Sequence, residues 1–186
     1  VAALPSYKAH RLETGSDTAE ATPDDLAPQV PVIIDALAAL GIARIGAPGY
    51  EADDVIGTLA TRAVAAGRPV DIVTGDRDLF QLVDDAAGVR VIYTARGGVR
   101  DADVVGQDYL RERYGIETGD DYVDLAVLRG DPSDGLPGVS GVGEKTAAGL
   151  LTRFGDLAGL IAAIDDFDVR IKGAQRAKLQ AARGYL

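Results

Sequence analysis

Residues 69–79 read PVDIVTGDRDL, and the reading of this stretch decides the fold. Val70, Ile72 and Val73 make a short apolar run behind a proline, and Thr74-Gly75 ends it. That is the pattern of a buried strand leaving a sheet through a turn. The turn carries Asp76 and Asp78. In open parallel sheets ligands bind beyond the carboxyl ends of the strands, so these carboxylates stand where chemistry is expected. A plainer reading makes Asp78 a helix cap, with Arg77 pairing to either aspartate.

Working outward, Thr22-Pro23-Asp24-Asp25 has the form of a helix start, and apolar positions through Val30, Ile33, Ile34, Leu37 and Leu40 carry the helix to Gly41. Residues 42–45 read as a strand ending at Ala47-Pro48-Gly49. Val55, Ile56, Leu59, Ala60, Ala63 and Val64 then recur at helical spacing, closed by Gly67. A helix over 78–83 and a strand over 89–93 follow. Strand–helix alternation at this spacing predicts an α/β fold with a parallel sheet. Residues 94–106 read as a loop or short hairpin. Beyond 107 only helical patterns occur, at 109–114, 122–128, 145–154 and 174–182. The expected organisation is therefore a weakly patterned segment 1–21, an α/β core 22–105 and a helical region 106–186.

The stretch at 49–57, GYEADDVIG, places Glu51, Asp53 and Asp54 on the first turn of its helix. Helix N-termini welcome one or two acids; three repel one another unless a cation joins them. A third acidic group, Asp131 and Asp134, lies in GDPSDG at 130–135. It lacks the DxDxDG spacing and distal glutamate of an EF-hand, which is excluded. The seven carboxylates account for most of the formal net charge of −10. With no cysteine and one histidine, His10, the donors are all oxygen. Such a set suits Mg²⁺ or Mn²⁺ and argues against zinc. Two such ions close together are the standard means of attacking a phosphodiester with water.

Composition bounds the alternatives. The chain has 186 residues with 47% apolar content, and no run long enough to span a membrane. The absence of cysteine excludes disulfides and thiolate metal sites, in keeping with a cytoplasmic setting. No methionine occurs, even at position 1, which predicts a piece of a longer protein. An acidic balance of 19 basic to 29 acidic residues argues against a general nucleic-acid coat protein but does not exclude an enzyme whose acids hold metal.

Residues 136–147, LPGVSGVGEKTA, invite a P-loop reading, but Glu144 separates the last glycine from Lys145 and no strand precedes. A hairpin between two helices fits better. Gly138, Gly141 and Gly143 expose backbone N–H groups beside a helix starting near Glu144, and Lys145 and Thr146 lie on its first turn. This is a good seat for a DNA phosphate, gripped without reading sequence. The plainer reading is a tight turn between packed helices.

Taken in order, YKAHR at 7–11, GYEADD, TGDRD and GDPSDGLPGVSGVGEKTA resemble the 5′-nuclease or flap endonuclease family, including the 5′-nuclease domains of bacterial DNA polymerase I and their stand-alone relatives. The resemblance covers almost the whole chain. It implies a PIN-like α/β nuclease core with a helix–three-turn–helix element at about 131–155. It also implies hydrolysis of 5′ ends and 5′ flaps, leaving 3′-hydroxyl and 5′-phosphate products.

By resemblance, Glu51, Asp53, Asp54, Asp76, Asp78, Asp131 and Asp134 would bind the metal ions. Residues 1–21 would be what remains of a helical arch. There Lys8 and Arg11 would contact the scissile phosphate and Tyr7 would stack on a nucleotide; without the family, the two cations read as surface charges. Gly138, Ser140, Gly141, Gly143, Lys145 and Thr146 would hold duplex DNA. Val139, Ser140 and Val142 would hold K⁺ through backbone carbonyls and a hydroxyl. His10 reads as a surface side chain and Arg77 as structural. Two further metal-binding aspartates and the N-terminal strands of the sheet would lie upstream of residue 1. A bacterial, cytoplasmic, nucleoid-associated monomer is expected, acting on DNA with 5′ ends or flaps beside a polymerase in cis or in trans, without a membrane role. The alternatives are a catalytically silent DNA-binding module, which would gain nothing from seven repelling carboxylates, and a PIN-type ribonuclease, which would have little use for the hairpin.

Overall fold

The computed structural model describes residues 25–132 and 134–186. Its sheet has three strands in the order β1 (Val70–Thr74), β2 (Val89–Tyr93) and β3 (Asp103–Val105). β1 and β2 pair in parallel, with Val70 opposite Val89 and Thr74 opposite Tyr93. β3 runs antiparallel to β2, with Val91 opposite Val105, so the sheet is mixed and not wholly parallel. β3 comes from the segment read as a loop or short hairpin. It is three residues long and buries only Val105, too short for alternation to announce it.

A second difference concerns residues 42–45, which form no strand. Ile42 and Ile45 stay 53% and 60% exposed; an apolar run becomes a strand only when another strand accepts its backbone. The preceding helix, α1 (Gln29–Ala39), begins after a turn at 25–28, later than the 22–25 signal suggested. It buries none of its residues.

Elsewhere the helical periods hold. α2 (Ala52–Ala65) precedes β1. A short 3₁₀ helix (Arg77–Leu82) replaces the α-helix expected at 78–83. α3 (Gln107–Tyr114), α4 (Gly119–Arg129), α5 (Glu144–Phe154), α6 (Leu157–Asp165) and α7 (Gly173–Ala182) follow. α6 had no counterpart in the sequence reading. Its signals are present: Asp156 caps it by accepting from the Gly159 N–H, and Leu160 and Ile164 share its buried side. Among the described residues no single helix is long and apolar enough to cross a membrane.

One core joins the sheet to the helices. Phe80, on the 3₁₀ helix and fully buried, meets Tyr93 of β2 edge-on at 5.1 Å and Tyr122 of α4 at 5.3 Å. Val83, Val91, Val105, Leu110, Leu125 and Leu128 belong to the same buried cluster. Burying an aromatic ring of this size contributes about 3 kcal/mol, so the turn that follows β1 is fixed from beneath by packing. That turn carries the acidic residues.

Candidate metal centre and nucleic-acid interface

The turn out of β1 is built by its own polar groups. The Asp76 N–H donates to Thr74 Oγ1 at 2.9 Å, and the Asp78 N–H donates to Asp76 Oδ1 at 2.9 Å. The cap of the 3₁₀ helix is therefore Asp76, not Asp78 as the plainer reading had it. Arg77 pairs with neither neighbour. Its Nη2 donates to Asp131 Oδ2, 54 residues away, at 2.7 Å.

Asp131 opens the loop after α4, and that loop is closed by backbone bonds. Asp131 and Leu136 exchange both N–H···O=C bonds, at 3.0 and 2.9 Å, and the Val139 N–H reaches Leu128 O at 2.9 Å. Gly130 (φ +81°) and Gly138 (φ +65°) sit back to back in the left-handed half of backbone space. A β-carbon on Gly138 would meet the backbone of Arg129 and Gly130 at 2.5–2.6 Å, so no side chain fits there. This closure holds Asp131 at 3% and Asp134 at 9% exposure.

Four carboxylates thus converge: Asp76, Asp78, Asp131 and Asp134. The Asp78 carboxyl is pushed up to about 7, first by burial, then by a hydrogen bond with the Asp134 side chain and by the charges of Asp76, Asp134 and Asp131. Two carboxyl groups share a hydrogen bond only by sharing a proton, and a cation placed between them does the same work. An all-oxygen, strongly anionic set of this kind fits Mg²⁺ or Mn²⁺.

The first acidic group stands apart. Glu51 caps α2 in a reciprocal box, its N–H donating to Asp54 Oδ2 at 2.9 Å. The capping reading therefore accounts for Glu51 and Asp54. Asp53 and Asp54 line a cleft of about 570 Å³ between α2 and the 3₁₀ helix, with Arg62 and Gln81 on its walls. Among the described residues no group of three side chains of His, Cys, Asp or Glu is disposed to hold a metal ion.

The hairpin is where the sequence put it. Gly143 caps α5, the Val142 N–H bonds to Val139 O at 2.9 Å, and Gly141 takes φ +72°. The side chains of Val139 and Val142 are buried, while Ser140, Lys145 and Thr146 are exposed. Glu144 is turned back towards Arg113, at 3.3 Å, and Arg129, at 3.6 Å. Its charge is thereby held off the face that Lys145 presents. Lys178 of α7 was missed from sequence: its Nζ would clash with a β-carbon on Gly141, and its Cε lies 3.6 Å from where that β-carbon would sit. A lone lysine in a helix 33 residues beyond Lys145 gives no sequence signal. Tyr7, Lys8, His10, Arg11 and Ser133 lie outside the described residues.

Two family models divide the chain between them. Residues 1–115 match the 5′-3′ exonuclease N-terminal resolvase-like domain, and residues 117–186 match the 5′-3′ exonuclease C-terminal SAM fold. The chain belongs to the 5′-3′ exonuclease family. A 5′-3′ exonuclease of Streptomyces coelicolor is 60% identical over 187 residues, covering 98% of this chain and 60% of the relative. One from Mycobacterium tuberculosis is 52% identical, covering 98% and 59%. DNA polymerase I of Mycobacterium tuberculosis is 45% identical over 94% of this chain and 18% of its own length. The chain thus spans about three-fifths of the two exonucleases. Among solved structures, a zinc-bound T5 5′-exonuclease aligns with TM-score 0.72 at 21% identity, over 97% of this chain and 64% of that one. The catalytic core of Rad2 with DNA substrate aligns at 0.56 and 19%, over 88% and 50%. The shared fold is that of this nuclease family, as the sequence motifs implied.

Proposed function

We propose that this chain is the nuclease portion of a structure-specific 5′-3′ exonuclease and 5′-flap endonuclease, hydrolysing DNA phosphodiesters with two divalent ions. The observation that carries the proposal is the convergence of Asp76, Asp78, Asp131 and Asp134 beyond the carboxyl end of β1, with Asp78 and Asp134 sharing a hydrogen bond. Mg²⁺ or Mn²⁺ bound there supplies an activated water and compensates charge on the phosphate. The four aspartates hold the ions; Glu51, Asp53 and Asp54 approach from α2 across the cleft. Gly138, Ser140, Gly141, Gly143, Lys145 and Thr146 seat the duplex backbone, with K⁺ at the Val139–Ser140–Val142 turn. Lys8 and Arg11 act on the scissile phosphate, and Tyr7 stacks on a nucleotide.

The solved relatives support this reading: a T5 flap endonuclease is described in a complex with DNA and metal ions. The organisation we propose keeps the remnant of a helical arch at 1–21, the nuclease core at 22–105 and the helical region at 106–186. The partners are DNA with 5′ ends or flaps and a DNA polymerase, and the protein works as a monomer in the bacterial cytoplasm at the nucleoid.

The test is cleavage of a 5′-flap duplex by the full-length protein with Mn²⁺, with and without EDTA. Asp76→Asn is expected to lower the rate at least ~100-fold while leaving flap binding intact. Flap binding without metal-dependent cutting in the wild type would favour a silent DNA-binding module. Cutting of single-stranded RNA in preference to the flap would favour a ribonuclease.

A further inference from the structure

Glu144 is an acid in an awkward place. It is the first residue of α5, between the cap Gly143 and Lys145, and so stands in the seat proposed for a DNA phosphate. A carboxylate there would ordinarily turn onto the open N–H groups of its own helix start, the donors that a phosphate needs. Yet α5 has no side-chain cap. Glu144 Oε1 instead accepts from Arg113 Nη1 at 3.3 Å, and its Oε2 faces Arg129 Nη1 at 3.6 Å. The two guanidiniums come from the last turns of α3 and α4. Both are themselves held: Arg113 lies over the Tyr114 ring at 5.3 Å, and Arg129 Nε donates to Gly130 O at 3.2 Å. Pairs this long, with Arg113 46% and Glu144 31% exposed, add little stability. What they change is the place of a charge. Arg113 also lies in the part of the chain that matches the resolvase-like domain, whereas Arg129, Glu144 and the hairpin lie in the part that matches the SAM fold.

We propose that Arg113 and Arg129 form a clip that draws Glu144 off the start of α5. Through Arg113, the resolvase-like part of the chain thereby sets the charge of the duplex seat on the SAM-fold part. The inference rests on the reading of the hairpin as that seat. With the clip closed, the open N–H groups of α5 and the Lys145 ammonium meet a phosphate without a competing carboxylate. With Arg113 gone, only Arg129 holds Glu144, from 3.6 Å, while it also attends Asp131 at 3.5 Å. The carboxylate is then freer to return to the helix start. Both arginines are positioning residues, acting on DNA through Glu144. Removing Arg113 therefore weakens duplex binding only while Glu144 keeps its charge. A structural brace behaves otherwise, because loss of either partner does the same damage.

The experiment is binding of a 5′-flap duplex by the full-length protein in EDTA, over a range of salt. Wild type is compared with Arg113→Gln, Glu144→Gln, the double variant and Lys145→Ala, with melting temperatures to show that each is folded. Arg113→Gln is expected to bind about two- to fivefold more weakly at low salt, with the deficit shrinking as salt rises. Glu144→Gln should bind as tightly as wild type, or up to about threefold more tightly. The double variant should return to within about twofold of wild type. Weaker binding by Glu144→Gln overturns the proposal, because the pair is then a brace. A double variant as weak as Arg113→Gln overturns it too, because Arg113 then touches the phosphate itself. Should Arg113→Gln not fold, Glu144→Gln decides alone: unchanged or tighter binding supports the clip, and weaker binding overturns it. Lys145→Ala tests the seat. If it binds like wild type, the reading of the hairpin fails and the clip with it; a Lys145 effect without an Arg113 effect overturns the clip alone.

Discussion

At the scale of single residues, Asp78 makes the site's electrostatics measurable. An aspartate in an unfolded chain titrates near 3.8, whereas burial and its acidic neighbours lift Asp78 to about 7 in the fold. Between those values the folded state holds the proton and the unfolded state has released it. Stability in the absence of metal therefore falls as pH rises from about 4 to about 7, and stays low above. The expected result is a melting temperature in EDTA a few degrees lower at pH 8 than at pH 5, with Asp78→Asn flattening the profile. A profile equally steep in Asp78→Asn would place the titration elsewhere. The sequence displayed these aspartates because each group sits in a short acidic motif beside a glycine or proline that marks a turn. It did not display their partners. Arg77 looked like a bridge to Asp76 or Asp78, because adjacency is all that a sequence shows; the real partner, Asp131, is brought in by the packing of α4 on the 3₁₀ helix.

At the scale of elements, helices were far more legible than strands. α2, α5 and α7 announce themselves through several turns of 3.6-residue period, often with a cap or a closing glycine. β3 has three residues, and residues 42–45 have strand composition without a strand to pair with. Strand identity belongs to the pair, so a single segment cannot declare it. The hairpin was legible because glycines at 138, 141 and 143 are spaced for a turn. What they could not show is how tightly Gly138 packs against Gly130. Gly138→Ala is expected to lower stability by about 2–4 kcal/mol, combining a left-handed backbone penalty with a steric clash. Chemical denaturation would check it; a change below 1 kcal/mol would show that the loop has room to open.

At the scale of the whole molecule, the acidic balance conceals an uneven distribution. Lys145, Lys172 and Lys178 all lie in the helical half, and none has a carboxylate partner among the described residues. Lys145→Ala and Lys178→Ala are each expected to weaken duplex binding and to reduce the slope of log affinity against log salt by about 0.9. Unchanged slopes would remove these lysines from the interface. Composition alone, at −10, could not reveal this, because a sum discards position. The apolar surface gives a parallel lesson. Helical spacing over 30–40 puts Val30, Ile33 and Leu40 on one apolar face, yet all three are exposed. Periodicity says which residues share a face; it does not say what lies opposite.

The backbone closure from Leu128 to Val139 carries a last consequence. Asp131 and the hairpin belong to one hydrogen-bonded unit, so the span between that carboxylate and the proposed duplex seat is a constant of the molecule. A strand seated on the hairpin would be cut at a place set by length, as with a ruler. Substrates differing wholly in their bases would then be incised at the same count of nucleotides from the junction.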